Sequence, residues 1–423
     1  MDYVKSGNGK MPLISLLAIL SISLTINLPG LAVSPMLSKL HHLFHSSELE
    51  SQLVTSLPNL IMFPVVLIAG KIATPSRQTA VLAIGLLTFL LGGVGCFFAE
   101  SMVTLIILGC IVGVGCGLVV PIAAGAISEW FGGQARQSDL GLKSTTSNAM
   151  VIIANLYVGW VVAYSWHAAF AVYLIPIIPL CLLPFMTQKY IKSKRIVNQT
   201  PTAQTSSDSD NNVFHFQGKV SLRMLIMLIL LYLILTYATT SISYYAPFIM
   251  DHFKMNTTQI GVVTAMYYLM CSVTGAMVGK LKRLFGPQVL FICLGLCAAG
   301  LLTIGFTHNF IIYLIASAVT GFGYGIIQPI IYNKTTYIAP SRKAGTTYFG
   351  YVLSANYVAI MLVPFVDGGA RHLFGSTSPG FEFVFSGVVV IGLLIWGLIE
   401  RKNYVFAVNP ASPAPTPAEE VKG

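Results

Sequence analysis

The sequence predicts an all-α membrane protein of 12 transmembrane helices, arranged as two pseudo-symmetric six-helix bundles. Three observations support the prediction: the composition, a series of long apolar runs, and a glycine-rich motif that occurs twice. The chain has 423 residues, of which 55% are hydrophobic and 9% charged, whereas soluble domains contain about 25% charged residues. A chain this apolar is expected to have the lipid bilayer as a partner.

The apolar runs give the number of spans. About 20 apolar residues cross the hydrocarbon core as a helix, and six such runs lie on each side of a polar stretch near the middle of the chain. The predicted spans, one to twelve, are 12–34, 52–70, 79–99, 102–127, 145–164, 168–187, 224–246, 258–279, 288–306, 310–332, 345–366 and 380–399.

The polar stretch divides the chain into two halves. We predict an N-terminal bundle at 1–187, a cytoplasmic linker at 188–223, a C-terminal bundle at 224–402 and a disordered cytoplasmic tail at 403–423. Residues 201–212 of the linker read PTAQTSSDSDNN and offer almost no apolar side chain to bury, which is typical of a flexible tether.

Lysine and arginine indicate the orientation, because the cytoplasmic loops of membrane proteins are enriched in both. With both termini in the cytoplasm, 21 of the 24 lie inside, and only Lys39, Lys254 and Arg371 lie outside. One span more or fewer would destroy this separation, so we predict a multi-pass protein of the cell membrane. The orientation also explains the net charge of +10, and no nucleic-acid partner is predicted.

A repeated motif indicates that the halves are related. G-x-G-x-G-[LI]-x-x-P-I occurs at Gly113–Ile122 and again, 208 positions later, at Gly321–Ile330. Glycines at i, i+2 and i+4 are expected to clear one side of a helix for a close neighbour, and the proline to kink it. The predicted helix-packing residues are Gly113, Gly117, Pro121, Gly321, Gly325 and Pro329.

Two loops and the glycine-rich spans resemble the major facilitator superfamily. The loop after span two reads GKIATPSR and the loop after span eight reads GKLKRLFG, similar to the family pattern G-x-L-A-D-R-x-G-R-[KR]. The resemblance implies the twelve-helix transporter fold and a gating role for these loops. The gating candidates are Gly70, Lys71, Arg77, Gly279, Lys280, Arg283 and Gly286.

The chain departs from the family pattern at charged positions. The family's loop aspartate is replaced by Thr74 in the first copy and by Arg283 in the second, so a charge latch of the usual kind is not expected. The family's arginine in span four is replaced by Cys110. The segments ISEWF and SWHAAF resemble bacterial drug and sugar efflux members, whereas ANLYVG stands where exporters tend to have G-P-x-x-G-G.

Polar side chains on the spans mark a candidate solute cavity. Thr320, Tyr324 and Gln328 share one face of span ten by their spacing, and the resemblance implies that spans one, four, seven and ten line the cavity. Hydroxyls, amides and rings suit a neutral or amphipathic solute; the alternative is hydrogen bonding between helices. The predicted cavity residues are Asn27, Asn59, Asn148, Asn155, Thr236, Thr240, Tyr244, Tyr267, Thr320, Tyr324, Gln328, Tyr348, Tyr351 and Asn356.

Ionisable residues are missing from the middle of every predicted span. Such residues usually mark ion coupling or a site for a charged solute, so we expect that the solute is not a permanent cation. Asp367 and Glu382, at the outer ends of spans eleven and twelve, are the candidates for proton coupling. The alternative for both is an interfacial carboxylate without a role in transport.

These observations predict a transporter and no enzyme. The chain has no phosphate-binding loop and no dinucleotide-binding unit, so no cofactor is expected. His41 and His45 have the i, i+4 spacing of a metal site if their loop is helical, but the loop offers no further ligand and a solvated helical cap is the simpler interpretation, so no metal is expected. The first hypothesis is a monomeric secondary active transporter, an antiporter that exports drug-like or sugar-like compounds in exchange for protons. The alternatives are uptake or exchange of a neutral or anionic metabolite without proton coupling, and a membrane sensor or scaffold that transports nothing.

Overall fold

The computed structural model describes residues 3–5, 10–73, 77–130, 133–187, 222–338, 342–401, 403 and 405–406. Most of the predicted linker, the tail beyond Phe406, and Thr74 at the family's aspartate position lie outside these ranges. Val405 and Phe406 are buried, and Phe406 packs edge-on against Trp396, so the start of the predicted tail packs on the C-terminal half.

All twelve predicted spans have helical counterparts. Among the described residues, ten helical segments are long and apolar enough to cross a membrane. The counterparts of spans five and six are the helix Gly133–Val161, whose first half is polar, and the shorter apolar run Trp166–Cys181. A short antiparallel hairpin, Tyr3–Lys5 paired with Lys10–Pro12, precedes the first span.

Ten spans are continuous helices or one helix with a short extension. In chain order they are Glu48–Ile72, Gln78–Phe97, Met102–Trp130, Gly133–Val161, Leu222–His252, Thr257–Ala276 continued by Val278–Phe285, Val289–Phe306, Phe310–Tyr337, Arg342–Phe374 and Phe381–Ile399.

Spans one and six are broken into short helical pieces. Span one consists of Leu13–Ser21, Ile22–Thr25, Leu28–Leu31, Ser34–Met36 and Leu37–Leu43, and span six of Trp166–Ala169, Phe170–Leu174, Ile177–Cys181 and Leu183–Met186. Proline lies at or beside several of the breaks, because it cannot donate the helical hydrogen bond and clashes with the preceding turn.

The packing repeats between the halves. Span four packs on spans two and three, and span ten packs on spans eight and nine. The halves meet where span five packs on span eight and span two packs on span eleven. Because spans two and five correspond to spans eight and eleven, the pseudo-symmetry exchanges these two contacts. This confirms two pseudo-symmetric bundles, with Pro121 and Pro329 in equivalent helices.

The turns after spans one and seven show the same symmetry without sequence identity. His45 and Lys254, 209 positions apart, are the described non-glycine residues with positive φ, at 47° and 58°. Each precedes a helix with a reciprocal capping box, formed by Ser47 with Glu50 and by Asn256 with Gln259. Capping of this kind satisfies backbone donors that a helix start leaves free, so both turns lead into a capped second helix of their half.

The glycine motif holds span four between two neighbours. A Cβ atom on Gly113 would lie 2.5 Å from the Pro58 carbonyl oxygen of span two, whereas one on Gly115 would collide with the backbone of Phe89 in span three. The prediction that all three glycines clear one side is therefore wrong. Residues i and i+4 share a face, but residue i+2 is rotated by about 200° and meets another helix.

The second copy of the motif packs in the same way. A Cβ atom on Gly321 would collide with the carbonyl of Tyr267 in span eight, and one on Gly325 would lie 2.5 Å from the carbonyl oxygen of Cys271. A Cβ atom on Gly323 would lie 2.5 Å from the carbonyl oxygen of Cys293 in span nine. Spans four and ten therefore approach both neighbours closely enough that a methyl group would not fit.

Replacing Gly113 or Gly321 by alanine is expected to lower thermal stability, because the added methyl group must displace a neighbouring backbone. Overpacking of this kind costs about 1–3 kcal/mol. Gly295→Ala on span nine is the matched control, because no atom lies within 4 Å of the added carbon. Thermal unfolding of the purified protein in detergent measures the effect, and equal melting temperatures for all three variants would contradict the packing role.

Candidate functional site

The two ends of the molecule differ in how the halves meet. We call the end with the loops at 44–47 and 253–256 the distal end, and the opposite end, where span one begins and span twelve finishes, the terminal end. The charge distribution predicts that the distal end is external and the terminal end cytoplasmic.

Polar contacts join spans one and seven at the distal end. Ser34 donates a hydrogen bond to the Ser243 carbonyl, and Ser38 donates to Asp251 at 2.5 Å. Nε2 of His42 lies 2.8 Å from the same Asp251 carboxylate. These side chains come from opposite halves, so the contacts hold the halves together at this end.

Spans five and eight meet through paired glycines and one amide. The Thr264 hydroxyl donates to Oδ1 of Asn155 at 3.1 Å, and both residues are fully buried. A Cβ atom on Gly159 would lie 2.9 Å from the Cα of Gly261. Asn155, predicted to line the cavity, therefore lies in the contact between the halves. Every hydrogen bond between the halves found among the described residues lies nearer to the distal end than to the terminal end.

An uncharged hydrogen-bonded cluster joins spans seven, ten and eleven. The hydroxyls of Tyr232 and Tyr332 lie 2.7 Å apart, and the Tyr232 hydroxyl donates to Oδ1 of Asn356 at 3.2 Å. Nε2 of Gln328 donates to both hydroxyls, at 3.0 Å to Tyr232 and 3.2 Å to Tyr332. We call Tyr232, Gln328, Tyr332 and Asn356 the amide–tyrosine cluster.

The cluster lies well inside the membrane-spanning part of the molecule. Tyr232 is ten residues from the start of span seven, which is about 15 Å along the helix axis. Gln328, Tyr332 and Asn356 are half-buried, as is Asn148 of span five. The side chains at this depth are thus less enclosed than those nearer the distal end.

Nearer the distal end, the predicted cavity residues of the C-terminal half are enclosed by protein. Thr236 and the hydroxyl of Tyr324 lie 3.1 Å apart, and the Tyr267 ring packs beside Tyr324. Thr240 and Tyr244 are also buried, and the Tyr244 hydroxyl has no hydrogen-bond partner. At the depth of these residues, the predicted solute cavity is filled by side chains.

Two predicted cavity residues pack against other helices. Thr320 is fully buried and donates to the Ala316 carbonyl, and its hydroxyl faces Gly300 of span nine. Asn59 donates to the Thr55 carbonyl at 2.7 Å and packs on Gly30 of span one. Both therefore follow the alternative of helix packing. For Thr320 the helix geometry gives the reason, because eight residues at 100° each place it about 80° around the helix from Gln328.

The remaining predicted cavity residues lie outside the amide–tyrosine cluster. Asn27 is half-buried at a break in span one, and Tyr348 is half-buried near the start of span eleven. Tyr351 is 50% exposed. None of these three shows a side-chain hydrogen bond among those that the described residues make.

Sequence reasoning missed two members of the cluster, Tyr232 and Tyr332. A signal was available, because Tyr232 precedes Thr236 by one helical turn and Tyr332 follows Gln328 by one turn. Both stand within long apolar runs, although a tyrosine hydroxyl at that depth needs a hydrogen-bond partner.

The two coupling candidates are enclosed by protein near the distal end. Asp367 is 0% exposed and Glu382 2%. Span eleven continues to Phe374, eight residues past its predicted end at 366, so Asp367 lies inside the helix. Near the end of this helix, the guanidinium of Arg371 pairs with Glu382, at 2.5 Å from Nε and at 2.8 Å from a terminal nitrogen.

The gating candidates lie at the end of the span-two helix, in the short helix that extends span eight, and in the turns that follow them. Gly70, Arg77, Gly279, Lys280 and Arg283 are exposed, and no atom would meet a Cβ on either glycine. Gly286 is half-buried and has a φ of 59°, which is the conformation that ends the preceding helix and favours glycine. Lys71 lies at the end of span two, and its side chain is outside the described residues.

Two pseudo-symmetric bundles of six helices are the fold of a class of membrane transporters. The model of the Major Facilitator Superfamily matches residues 13–364 and 228–420. The chain therefore belongs to the major facilitator superfamily, whose members are transporters and carry out secondary active transport. No curated protein matches the sequence closely enough to count as a relative.

Solved structures show the same fold. An inward-open xylose transporter, XylE from E. coli, has a TM-score of 0.70 at 14% identity, over 90% of this chain and 94% of that chain. A POT family transporter in complex with 5-aminolevulinic acid has a TM-score of 0.70 at 12% identity, covering 91% and 95%. A bacterial homologue of the lysosomal transporter Spinster, inward-facing and occupied, has a TM-score of 0.65 at 13% identity, covering 94% and 98%.

Replacing Gly261 by leucine is expected to force spans five and eight apart and to open the distal end. Ser34→Cys in a Cys181→Ser background reports this, because Ser34 is 1% exposed in the closed contact. A membrane-impermeant maleimide added from the distal side should label this cysteine faster in the Gly261→Leu variant.

Gly369→Leu is the control, because no atom lies within 4 Å of a Cβ at that position. Equal labelling rates in the two leucine variants would show that the glycine contact does not hold the distal end closed.

Proposed function

We propose that the protein exports small neutral or amphipathic organic compounds, drug-like or sugar-like, by alternating access. The amide–tyrosine cluster is the solute site in this proposal. The observation that supports it is the combination of uncharged donors, acceptors and rings on three helices, at a depth where polar side chains are expensive unless they are used or paired.

The chemistry of the cluster favours an uncharged solute. Gln328 and Asn356 each supply an amide, which both donates and accepts, and the two tyrosines add hydroxyls beside flat apolar rings. The cluster contains no fixed charge that would pair with a cation or an anion. Two of the similar structures are named for xylose transport and one for a complex with a conjugated peptide, and a hydroxyl-rich or amide-bearing solute suits the same groups.

The distal contacts favour a cycle that starts with the distal end closed. Hydrogen bonds between membrane helices average about 0.6 kcal/mol each, so the few that join the halves can break and reform as the bundles rock. The glycine contacts of spans four and ten hold each half rigid during that motion. The solute then enters from the terminal end and leaves at the distal end.

The orientation and organisation complete the proposal. The lysine and arginine distribution supports cytoplasmic termini in a plasma-membrane protein, for which distal release is export. The bundles at 1–187 and 224–402, joined by the linker at 188–223, are the two moving bodies. The loops after spans two and eight, which carry the predicted gating residues, meet when the terminal end closes. A monomer contains the whole pathway.

A second candidate function is uptake or exchange of a neutral or anionic metabolite without proton coupling. The observation that favours it is Cys110, a half-buried residue where the family resemblance places an arginine on span four. Proteoliposomes distinguish the two functions, because only proton-coupled export changes with an imposed pH gradient.

The experiment begins with cells that lack their own exporters, express this chain, and are challenged with a panel of toxic compounds and with D-xylose. A compound that the chain excludes is then radiolabelled and loaded into proteoliposomes. Gln328→Leu is expected to reduce its flux at least tenfold, because it removes both hydrogen bonds to the tyrosines. Thr320→Val on the same helix is the matched control and should leave the flux unchanged.

Equal flux in the two variants would remove the amide–tyrosine cluster from the pathway. No flux of any compound in either direction, from protein that unfolds cooperatively, would favour the sensor or scaffold.

A further inference from the structure

A buried charged cluster lies in the C-terminal half, away from the amide–tyrosine cluster. Asp367 on span eleven, four residues before Arg371, accepts a hydrogen bond from the Tyr237 hydroxyl of span seven through Oδ1. Its second oxygen, Oδ2, is buried and has no partner. A carboxylate in this position would leave a lone pair and a charge unsatisfied, which is costly inside a protein.

The one cation of the cluster is occupied elsewhere. Arg371 makes two hydrogen bonds to Glu382 and a third to the Ser378 carbonyl, at 3.1 Å. Glu382 lies in the first turn of span twelve, where the helix dipole also favours a negative charge. Glu382 is therefore the better site for an anion, and Asp367 is left with only the Tyr237 hydroxyl.

Among the residues that the structure describes, no further cation faces the cluster. Tyr245 of span seven and Glu48 of span two are the other titratable groups that face the cluster from the neighbouring helices. Ser386 of span twelve is fully buried with an unpartnered hydroxyl. Two carboxyl groups and one guanidinium carry a net charge of −1 when all are ionised, so a single proton makes the buried cluster neutral.

We propose that Asp367, Glu382 and Arg371 form a site that binds one proton while the distal end is closed and releases it when that end opens. The proton resides on Asp367 in the closed state. Arg371 lies one helical turn from Asp367, so the guanidinium can turn from Glu382 towards Asp367 when water enters. The inference rests on the proposed alternating access and specifies its coupling ion.

The sign of the pH dependence follows from this assignment. The closed state holds one proton more than the open state, so acid favours closure and alkali favours opening of the distal end. Linkage of a single proton changes the equilibrium by at most about tenfold per pH unit. The contact of His42 with Asp251 also joins the halves at the distal end, so His42 needs its own control.

Infrared spectroscopy tests the proton without any solute. The C=O stretching band of a buried protonated carboxyl group, recorded on the purified protein in lipid at neutral pH, should be present in the wild type. It should disappear in Asp367→Asn and also in Glu382→Gln, because each variant leaves one carboxylate paired with Arg371. It should double in Arg371→Gln, where both carboxyl groups need a proton. Glu400→Gln, at the exposed pair with Arg223, is the control and should not change the band.

A wild type without this band, or a band that persists at wild-type size in Asp367→Asn and Glu382→Gln, would overturn the proposal. Because three variants make separate predictions, failure of any one to fold leaves the other two decisive.

The second readout is the labelling rate of Ser34→Cys in the Cys181→Ser background as a function of pH, divided at each pH by the rate for the same protein unfolded in denaturant. The division is needed because maleimide reacts with the thiolate, so its rate rises with pH at any cysteine. The relative rate should rise with pH, by up to tenfold per unit, and this rise should vanish in Asp367→Asn but persist in His42→Gln. A relative rate that is independent of pH would contradict proton release on opening. Absence of solute flux with an intact infrared band would count against the proposed transport function alone.

Discussion

The close approach of helix backbones at the repeated glycine motif is the constraint on which the rest of the structure depends. Gly115 and Gly323 press against one neighbouring helix while the flanking glycines press against another. In lipid, helices gain little from burying apolar surface against one another, and close van der Waals packing takes over that role. Each half is rigid because this three-helix contact is tight, and rigid halves can move as bodies.

The contact between the halves combines helix packing with hydrogen bonds. Span five packs on span eight and span two on span eleven, and near the distal end a pair of facing glycines and a few hydrogen bonds join the same helices and spans one and seven. Each such bond contributes little to stability, so the bonds can break and reform as alternating access requires. The two polar clusters differ in chemistry, since the amide–tyrosine cluster is uncharged and the Asp367 cluster is not.

Much of the fold could be predicted from the sequence, because hydrophobic runs and charge placement act over whole helices. The motif at Gly113 and Gly321 correctly paired spans four and ten. Details within a helix were harder: the middle glycine faces another neighbour, and Thr320 turns away from Gln328. A 100° turn per residue separates these faces, and only the packed neighbours decide which face meets the partner half.

The site was predicted in part. Gln328 and Asn356 lie where polar residues on spans ten and eleven suggested, whereas Tyr232 and Tyr332 are indicated only by their spacing of one helical turn from Thr236 and Gln328. The environment of Asp367 could not be predicted, because the contact of Arg371 with Glu382 joins two helices that are separated by a loop. Hydropathy places the end of span eleven before Asp367 and does not show that the helix continues.

Distances between the halves test the account most directly. Spin labels at His45 and Lys254 report the distal end, and labels at Arg77 and Arg283 report the terminal end; all four positions lie in turns or at exposed helix ends. The account predicts two populations in distances measured by pulsed electron paramagnetic resonance, in which a longer distal distance accompanies a shorter terminal distance. A single distance at each end, unchanged by pH and by any solute, would contradict the movement of two rigid halves about a central site.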